Sequence, residues 1–329
     1  MLLPRLEEHL RDKQFFKPRQ KILVTCSGGP DSIALFHLLQ ALAAKNFWKL
    51  GLIHFNHQLR PGDAKKDEQF VRGLARKFKA PFFGGTGDVE REAKRTQTSI
   101  EEAARNMRYD FFLRTARTEK FHTVVLAHTM DDQAETVLMR VLQGTGPRGL
   151  QGIREKFRIG RTTLVRPLLV FAKKEILDFC RAAKVVYRKD KSNDSVKFLR
   201  NRIRLDLIPR LARDFNPRVV EALSRIPAIV AGESALITEL EEKAWKKTFK
   251  KIRGKKVELR RSVFLRFPPA LQFRLVEKAL KMLDPQSGLS FEAWERVRRG
   301  LSRPRFCASL PKDIDFALTS KNVTIYKKR

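Results

Sequence analysis

The chain has 329 residues, 42% of them hydrophobic, which suggests two domains with real cores. Its 69 Lys and Arg against 36 Asp and Glu give a formal net charge of +33, which points to a polyanionic partner, nucleic acid or an anionic membrane surface. No apolar run reaches the roughly 18–20 residues of a membrane span, Glu7 and Glu8 argue against a signal peptide, and the scattered Cys26, Cys180 and Cys307 indicate neither a disulfide framework nor a zinc site; a cytoplasmic protein is expected.

Strand and helix signals alternate through the first half. Residues 21–26 read as a strand, 33–44 as a helix, 50–55 as a second strand, 67–78 as a helix and 81–84 as a short third strand. A long helix follows over 99–118, with Ser99 and Glu102 spaced as a capping box. Then come a strand over 123–127 and a helix over 130–142, ended by Gly144 and Gly146. Such alternation with apolar strands predicts an α/β fold, a doubly wound parallel sheet covered on both faces, with ligands at the carboxyl ends of the strands. A second, smaller and mostly helical region begins near Asn216-Pro217. The expected division is therefore a catalytic domain over 1–215 and an accessory domain over 216–329. In the latter, 219–249 looks helical but interrupted or restarted near Pro227, Lys250 to Lys256 reads as a basic hinge, and 268–283 and 291–300 read as helices. The alternation from Asp315 to Tyr326 reads as a terminal hairpin.

Between the first strand and helix lies Ser27-Gly28-Gly29-Pro30-Asp31-Ser32. A small turn opening into a helix offers free backbone N–H groups to a phosphate. The two glycines let the anion approach, the serine hydroxyls add donors, and Pro30 suits the first helical turn. The loop lacks the lysine of the Walker motif and the third glycine of the dinucleotide motif. Its S-G-G-x-D-S pattern resembles the pyrophosphatase loop of enzymes that split ATP into AMP and pyrophosphate.

After the 123–127 strand come His128, Asp131, Asp132 and Glu135, whose carboxylates fall on one helical turn. They can hold magnesium, recognise a cationic substrate, or complement the helix dipole. Residues His54 to Arg60 leave the second strand, where they can shape an adenine or substrate pocket; His57 reads as catalytic or structural. Arg105 and Arg108 share a helix face and suit a phosphate clamp or a solvated surface. Arg200 and Arg204, one turn apart, suit RNA phosphate or pyrophosphate.

Together these segments resemble one family, the bacterial tRNA(Ile)-lysidine synthetases. The resemblance rests on Ser27 to Ser32, Asn56 to Arg60, Arg105 to Tyr109, Ala127 to Thr136 with Gly144-Thr145-Gly146, Arg166 to Leu169, and Asp190 to Arg204. It covers the first two-thirds of the chain, more weakly the last third, and longer members carry a further C-terminal domain. It implies a Rossmann-like N-type ATP pyrophosphatase fold and a tRNA-binding accessory domain. It implies that ATP adenylates C2 of the wobble cytidine of the isoleucine tRNA with anticodon CAU, and that free lysine then displaces AMP. Ser27, Gly28, Gly29, Pro30, Asp31, Ser32, His54 and Asn56 would then bind ATP. Asp31 and Asp132 would position magnesium, and Asp132 and Glu135 would bind lysine. Arg108 and Arg200 would stabilise phosphate charge, His128 would accept a proton or only bind nucleotide, and Arg105, Arg200 and Arg204 would contact tRNA. Members often form homodimers, which nothing in this sequence decides.

The nearest rival, a cytidine-modifying thiolase, uses a Cys-x-x-Cys pair that this sequence lacks. Related synthetases of small metabolites leave the +33 charge unexplained. A non-catalytic RNA binder leaves the loop and its carboxylates unexplained.

Overall fold

The computed structural model describes residues 2–57, 61–188, 199–285 and 287–328. Its contacts divide into two compact units, Met1–Val230 and Ala231–Arg329. In the first, strands β1 (Lys21–Thr25), β2 (Lys49–Asn56), β3 (Phe82–Thr86), β4 (Thr123–Val125), β5 (Lys156–Ile159) and β6 (Thr162–Val165) form one sheet in the order β3-β2-β1-β4-β6-β5. All neighbours pair in parallel except the edge hairpin β5–β6.

The sheet separates two cores, as strand periodicity requires. Ile22, Val24, Leu50, Leu52 and Val125 belong to one, with helix Pro30–Asn46 and Leu6 of the helix Leu2–Asp12. Leu23, Ile53, Val124 and Leu126 belong to the other, with Phe112 of helix Ile100–Thr118. The doubly covered α/β sheet is thus the expected one. The chain leaves β1 toward β2 and leaves β4 toward β6, in opposite directions along the sheet. The ends of β1 and β4 therefore flank a topological switch point, where doubly wound sheets bind ligands.

Local chemistry fixes the helix starts there. Pro30 stands in the first turn of its helix. Thr129 and Asp132 form a reciprocal capping box at the start of helix Met130–Leu142. Ser99 caps the 100–118 helix by accepting from the Glu102 N–H at 3.2 Å.

The second unit carries an antiparallel sheet of β7 (Phe249–Arg253), β8 (Lys256–Arg260), β9 (Phe306–Leu310), β10 (Ile314–Leu318) and β11 (Asn322–Lys327), in the order β7-β8-β11-β10-β9. Helices Pro269–Leu283 and Phe291–Gly300 share its core through Leu275, Val276, Trp294 and Val297, packed with Val257, Phe316 and Ile325. Helix is abundant, as expected, and β10–β11 is the expected hairpin. Two expectations fail. Helix Val219–Thr248 runs unbroken through Pro227. The basic stretch 250–256 is no hinge; it forms β7, a turn at Gly254 and the start of β8, with lysines on an edge strand. No described helix is long and apolar enough to cross a membrane.

Candidate active site

At the end of β1, Gly28 takes a φ of +91°, open to glycine and strained for other residues. The Ser32 hydroxyl accepts from the Ser27 N–H at 3.1 Å and donates to the Gly29 carbonyl at 3.0 Å. The Arg188 N–H donates to the Gly28 carbonyl at 2.9 Å. These bonds take up loop carbonyls and hold the turn at the mouth of the helix, whose first N–H groups have no intrahelical partner. His54, buried on β2, donates from Nδ1 to the Cys26 carbonyl at 2.8 Å, which leaves Nε2 as the acceptor whenever the ring is neutral. Asn56 is buried at the end of the same strand. Burial pushes the Cys26 thiol up to about 11, so it is a small apolar filler.

Asp31 projects from the loop helix and pairs through Oδ2 with the Lys173 ammonium. Its Oδ1 is buried without a partner among the described residues. Burial raises its pKa, Lys173 opposes the rise, and Asp132 adds to it. The Lys173 N–H donates to Asp131 at 2.6 Å, so one residue ties both loops together.

Asp132 and Glu135 form the centre of an ion-pair cluster. Asp132 Oδ2 accepts from the Thr129 N–H at 2.9 Å and its hydroxyl at 3.1 Å. Asp132 Oδ1 accepts from Arg200 at 2.9 Å and Arg204 at 3.3 Å. Glu135, 1% exposed, accepts from Arg200 Nε at 2.9 Å, and from Arg204 through Nε at 2.5 Å and Nη2 at 2.9 Å. Burial would raise the Asp132 pKa, but His128, Arg200, Thr129 and Arg204 together bring it below the usual value.

Electrostatically linked to this cluster is a group of arginines and histidines. The Arg108 Nε and the His57 Nδ1 are buried without partners among the described residues. Burial, then Arg108 and His54, push His57 down to about 4. Burial lowers the Arg108 guanidinium as well, with Arg105 and Arg200 adding to the effect. His128 is half-buried; desolvation pushes it down to about 3, with Asp132 opposing and Arg166, Arg200 and Arg108 reinforcing. Its Nδ1 accepts from Arg166 Nε at 3.2 Å. Arg166, 3% exposed, also donates to the Arg154 carbonyl at 2.6 Å and the Tyr109 hydroxyl at 2.9 Å. Arg105 is exposed and lies over the Tyr109 ring.

The structure thus brings Asp31, Asp132, Glu135, His128, Arg108, Arg200 and Arg204 into one electrostatically linked group. Asp132 and Glu135 meet arginines rather than open solvent. Asp31 Oδ1 is the oxygen that suits magnesium, which uses one or two carboxylates and completes its shell with phosphates and water. Gln58 to Arg60 and Asp190 to Phe198 lie outside the described residues. Sequence reading assigned no role to Lys173 or Arg166. A lysine at the first position of helix Lys173–Ala182 opposes the helix dipole, and that anomaly marks it.

Residues 3–211 match the PP-loop domain family. A tRNA(Ile)-lysidine synthase of Symbiobacterium thermophilum is 37% identical over 86% of this chain and 60% of its own length. One of Geobacter sulfurreducens is 39% identical over 70% of this chain and 48% of its own length. The chain thus spans about half to three-fifths of these relatives. Among solved structures, the U34-tRNA thiolase NcsA of Methanococcus maripaludis, with its [4Fe-4S] cluster, superposes with a TM-score of 0.58 at 17% identity. It covers 69% of this chain and 78% of its own, a likeness of fold.

Proposed function

The chain belongs to the PP-loop domain family, and on that premise we propose that it is an enzyme that ligates free lysine to C2 of the wobble cytidine of the isoleucine tRNA with anticodon CAU. ATP is the co-substrate, and AMP and pyrophosphate are the by-products. The observation that carries the reading is the juxtaposition, across one switch point, of the Ser27–Ser32 loop with the Asp132/Glu135–Arg200/Arg204 cluster. The curated relatives named for lysidine synthesis support the substrate.

The loop N–H groups and the Ser27 and Ser32 hydroxyls receive the triphosphate. The His54 Nε2 acceptor and Asn56 suit the adenine. The cytidine O2 attacks the α-phosphate, an O–P bond forms, and pyrophosphate leaves. Arg108 and Arg200 stabilise the charge that builds up on the phosphate. Magnesium, which Asp31 would hold, neutralises charge on the leaving group when bound.

In the second half, the lysine amine attacks C2, a C–N bond forms, AMP leaves with the O2 oxygen, and the nitrogen gives up a proton to water. Asp132 and Glu135 suit the substrate's cationic groups once Arg200 and Arg204 turn to phosphate. Exposed Arg105, and the accessory domain over 216–329, engage the tRNA.

The test is incorporation of radiolabelled lysine with ATP and magnesium into transcripts of the CAU isoleucine tRNA and a methionine tRNA. Label entering the isoleucine transcript alone, dependent on ATP, is the expected result. Pyrophosphate release without label would redirect the search to another nucleophile. Neither signal would sink the enzyme assignment.

A further inference from the structure

His128 was expected to accept a proton, and its surroundings argue for the opposite role. A guanidinium has donors and no acceptor. The 3.2 Å contact from Arg166 Nε to His128 Nδ1 therefore requires Nδ1 to be bare, and a neutral ring then carries its proton on Nε2. Arg166 is itself immobilised. It is 3% exposed, its Nη1 and Nη2 are bonded to the Arg154 carbonyl and the Tyr109 hydroxyl, and it lies 4.7 Å from the centre of the Phe157 ring. Its cation, with Arg108 and Arg200, also discourages a second proton on the ring, against the opposing carboxylate of Asp132.

We propose that Arg166 is a positioning residue that locks His128 as a neutral Nε2–H donor, so that His128 gives a hydrogen bond to the phosphate on which charge develops and does not take the proton of the attacking amine. A neutral imidazole donor of this kind needs no charge of its own to polarise an oxygen anion. The tautomer follows from Arg166 alone; the role of the donated bond rests on the proposed lysine ligation.

The experiment has two arms, both on the full chain. In the first, nitrogen-15 histidine spectra are recorded from about pH 6 to about pH 8, the range in which an ordinary histidine titrates. The His128 signals are identified by their loss in His128→Gln. The expected spectrum has Nε2 protonated and Nδ1 bare throughout. In Arg166→Lys, which keeps the charge but loses the planar fork, Nδ1–H should appear in a tautomer mixture. An Nδ1–H form or a titrating imidazolium in the unaltered chain would overturn the proposal, and so would an unchanged tautomer in Arg166→Lys.

The second arm is lysine incorporation. His128→Gln retains an amide N–H near the Nε2 position and should stay within about tenfold of the unaltered chain, whereas His128→Ala should lose roughly 10²–10³-fold in kcat. A general base would lose about 10²–10⁴-fold in both variants alike, and that pattern would refute the donor role. If the unaltered chain incorporates no lysine at all, the ligation reading fails while the spectra still decide the tautomer.

Discussion

Replacing Glu135 with Gln tests whether the buried cluster holds the site together. Gln has nearly the same volume, so the change removes charge and leaves the packing. Among the described residues, three charge-assisted hydrogen bonds converge on the Glu135 carboxylate, one from Arg200 and two from Arg204, and its side chain is 2% exposed. Breaking a fully buried ion pair costs about 3–5 kcal/mol. The Arg200 and Arg204 side chains are 33% and 36% exposed, so water recovers part of that loss, and Asp132 Oδ1 still receives both guanidinium groups. The expected cost is about 2 kcal/mol, or roughly 4–8 °C in the melting temperature of a unit of this size. Thermal unfolding followed by circular dichroism measures it. A double-mutant cycle with Arg204→Gln should return a coupling of about 1–2 kcal/mol. A melting temperature within about 1 °C of the unaltered chain would refute the reasoning and leave the carboxylate free for a ligand.

Three further outcomes follow from the same geometry. Burial holds the Asp31 pKa above its ordinary value despite Lys173. Stability from this group is therefore fully present below the usual carboxylate range and lost as pH rises through the raised pKa. Asp31→Asn should abolish pyrophosphate release yet melt no lower than the unaltered chain at pH 7, with the difference closing toward pH 4; a lower neutral-pH melting temperature would contradict the sign. Gly28→Ala should cost about 1–2 kcal/mol from the left-handed backbone alone, since its Cβ would meet nothing nearer than Phe70 at 3.8 Å; it should also raise the KM for ATP, and an unchanged KM would place the phosphates elsewhere. Affinity for the tRNA should fall by orders of magnitude between about 50 and 200 mM salt; a flat salt response would disconnect the +33 charge from RNA binding.

The parts of the site readable in sequence are those whose chemistry is local. Ser27 to Ser32 and Thr129 to Glu135 are each a turn feeding a helix, and their spacing fixes their mutual geometry before any tertiary contact forms. Arg166 and Lys173 were not assigned, and His57 stayed between a catalytic and a structural reading, because their roles depend on distant partners. Arg166 meets His128 across 38 positions, and Lys173 meets Asp31 across 142. A charge in the apolar run Leu164 to Leu169 is still a readable oddity, since a buried arginine needs partners. In the fold, the helices and parallel strands were largely legible from periodicity. The helix start at Pro61, the hairpin β5–β6 and the strand character of 249–253 were not. Strands of four or five residues carry too little alternation, and lysines on the β7 edge look like a loop. Pro227 misleads in the same way, because a tertiary context can carry a helix through a proline that local propensity would use to end it.

On the proposed function, the pairing of carboxylates with arginines would couple the two substrates. Asp132 and Glu135 cannot fully engage a lysine ammonium while Arg200 and Arg204 occupy their oxygens. A triphosphate on the Ser27–Ser32 loop offers those guanidinium groups a more highly charged partner, and bidentate phosphate contacts suit them as well as carboxylates do. Phosphate binding would then uncover the carboxylates and make them net attractive to a cation. Coupling of this kind is reciprocal, so each ligand must raise the other's affinity by the same factor. Calorimetry with a non-hydrolysable ATP analogue should show lysine binding at least about tenfold tighter than in its absence, a coupling of about 1.4 kcal/mol. Equal lysine affinity with and without the analogue would mean that the arginines never leave the carboxylates, and that lysine is recognised by other residues.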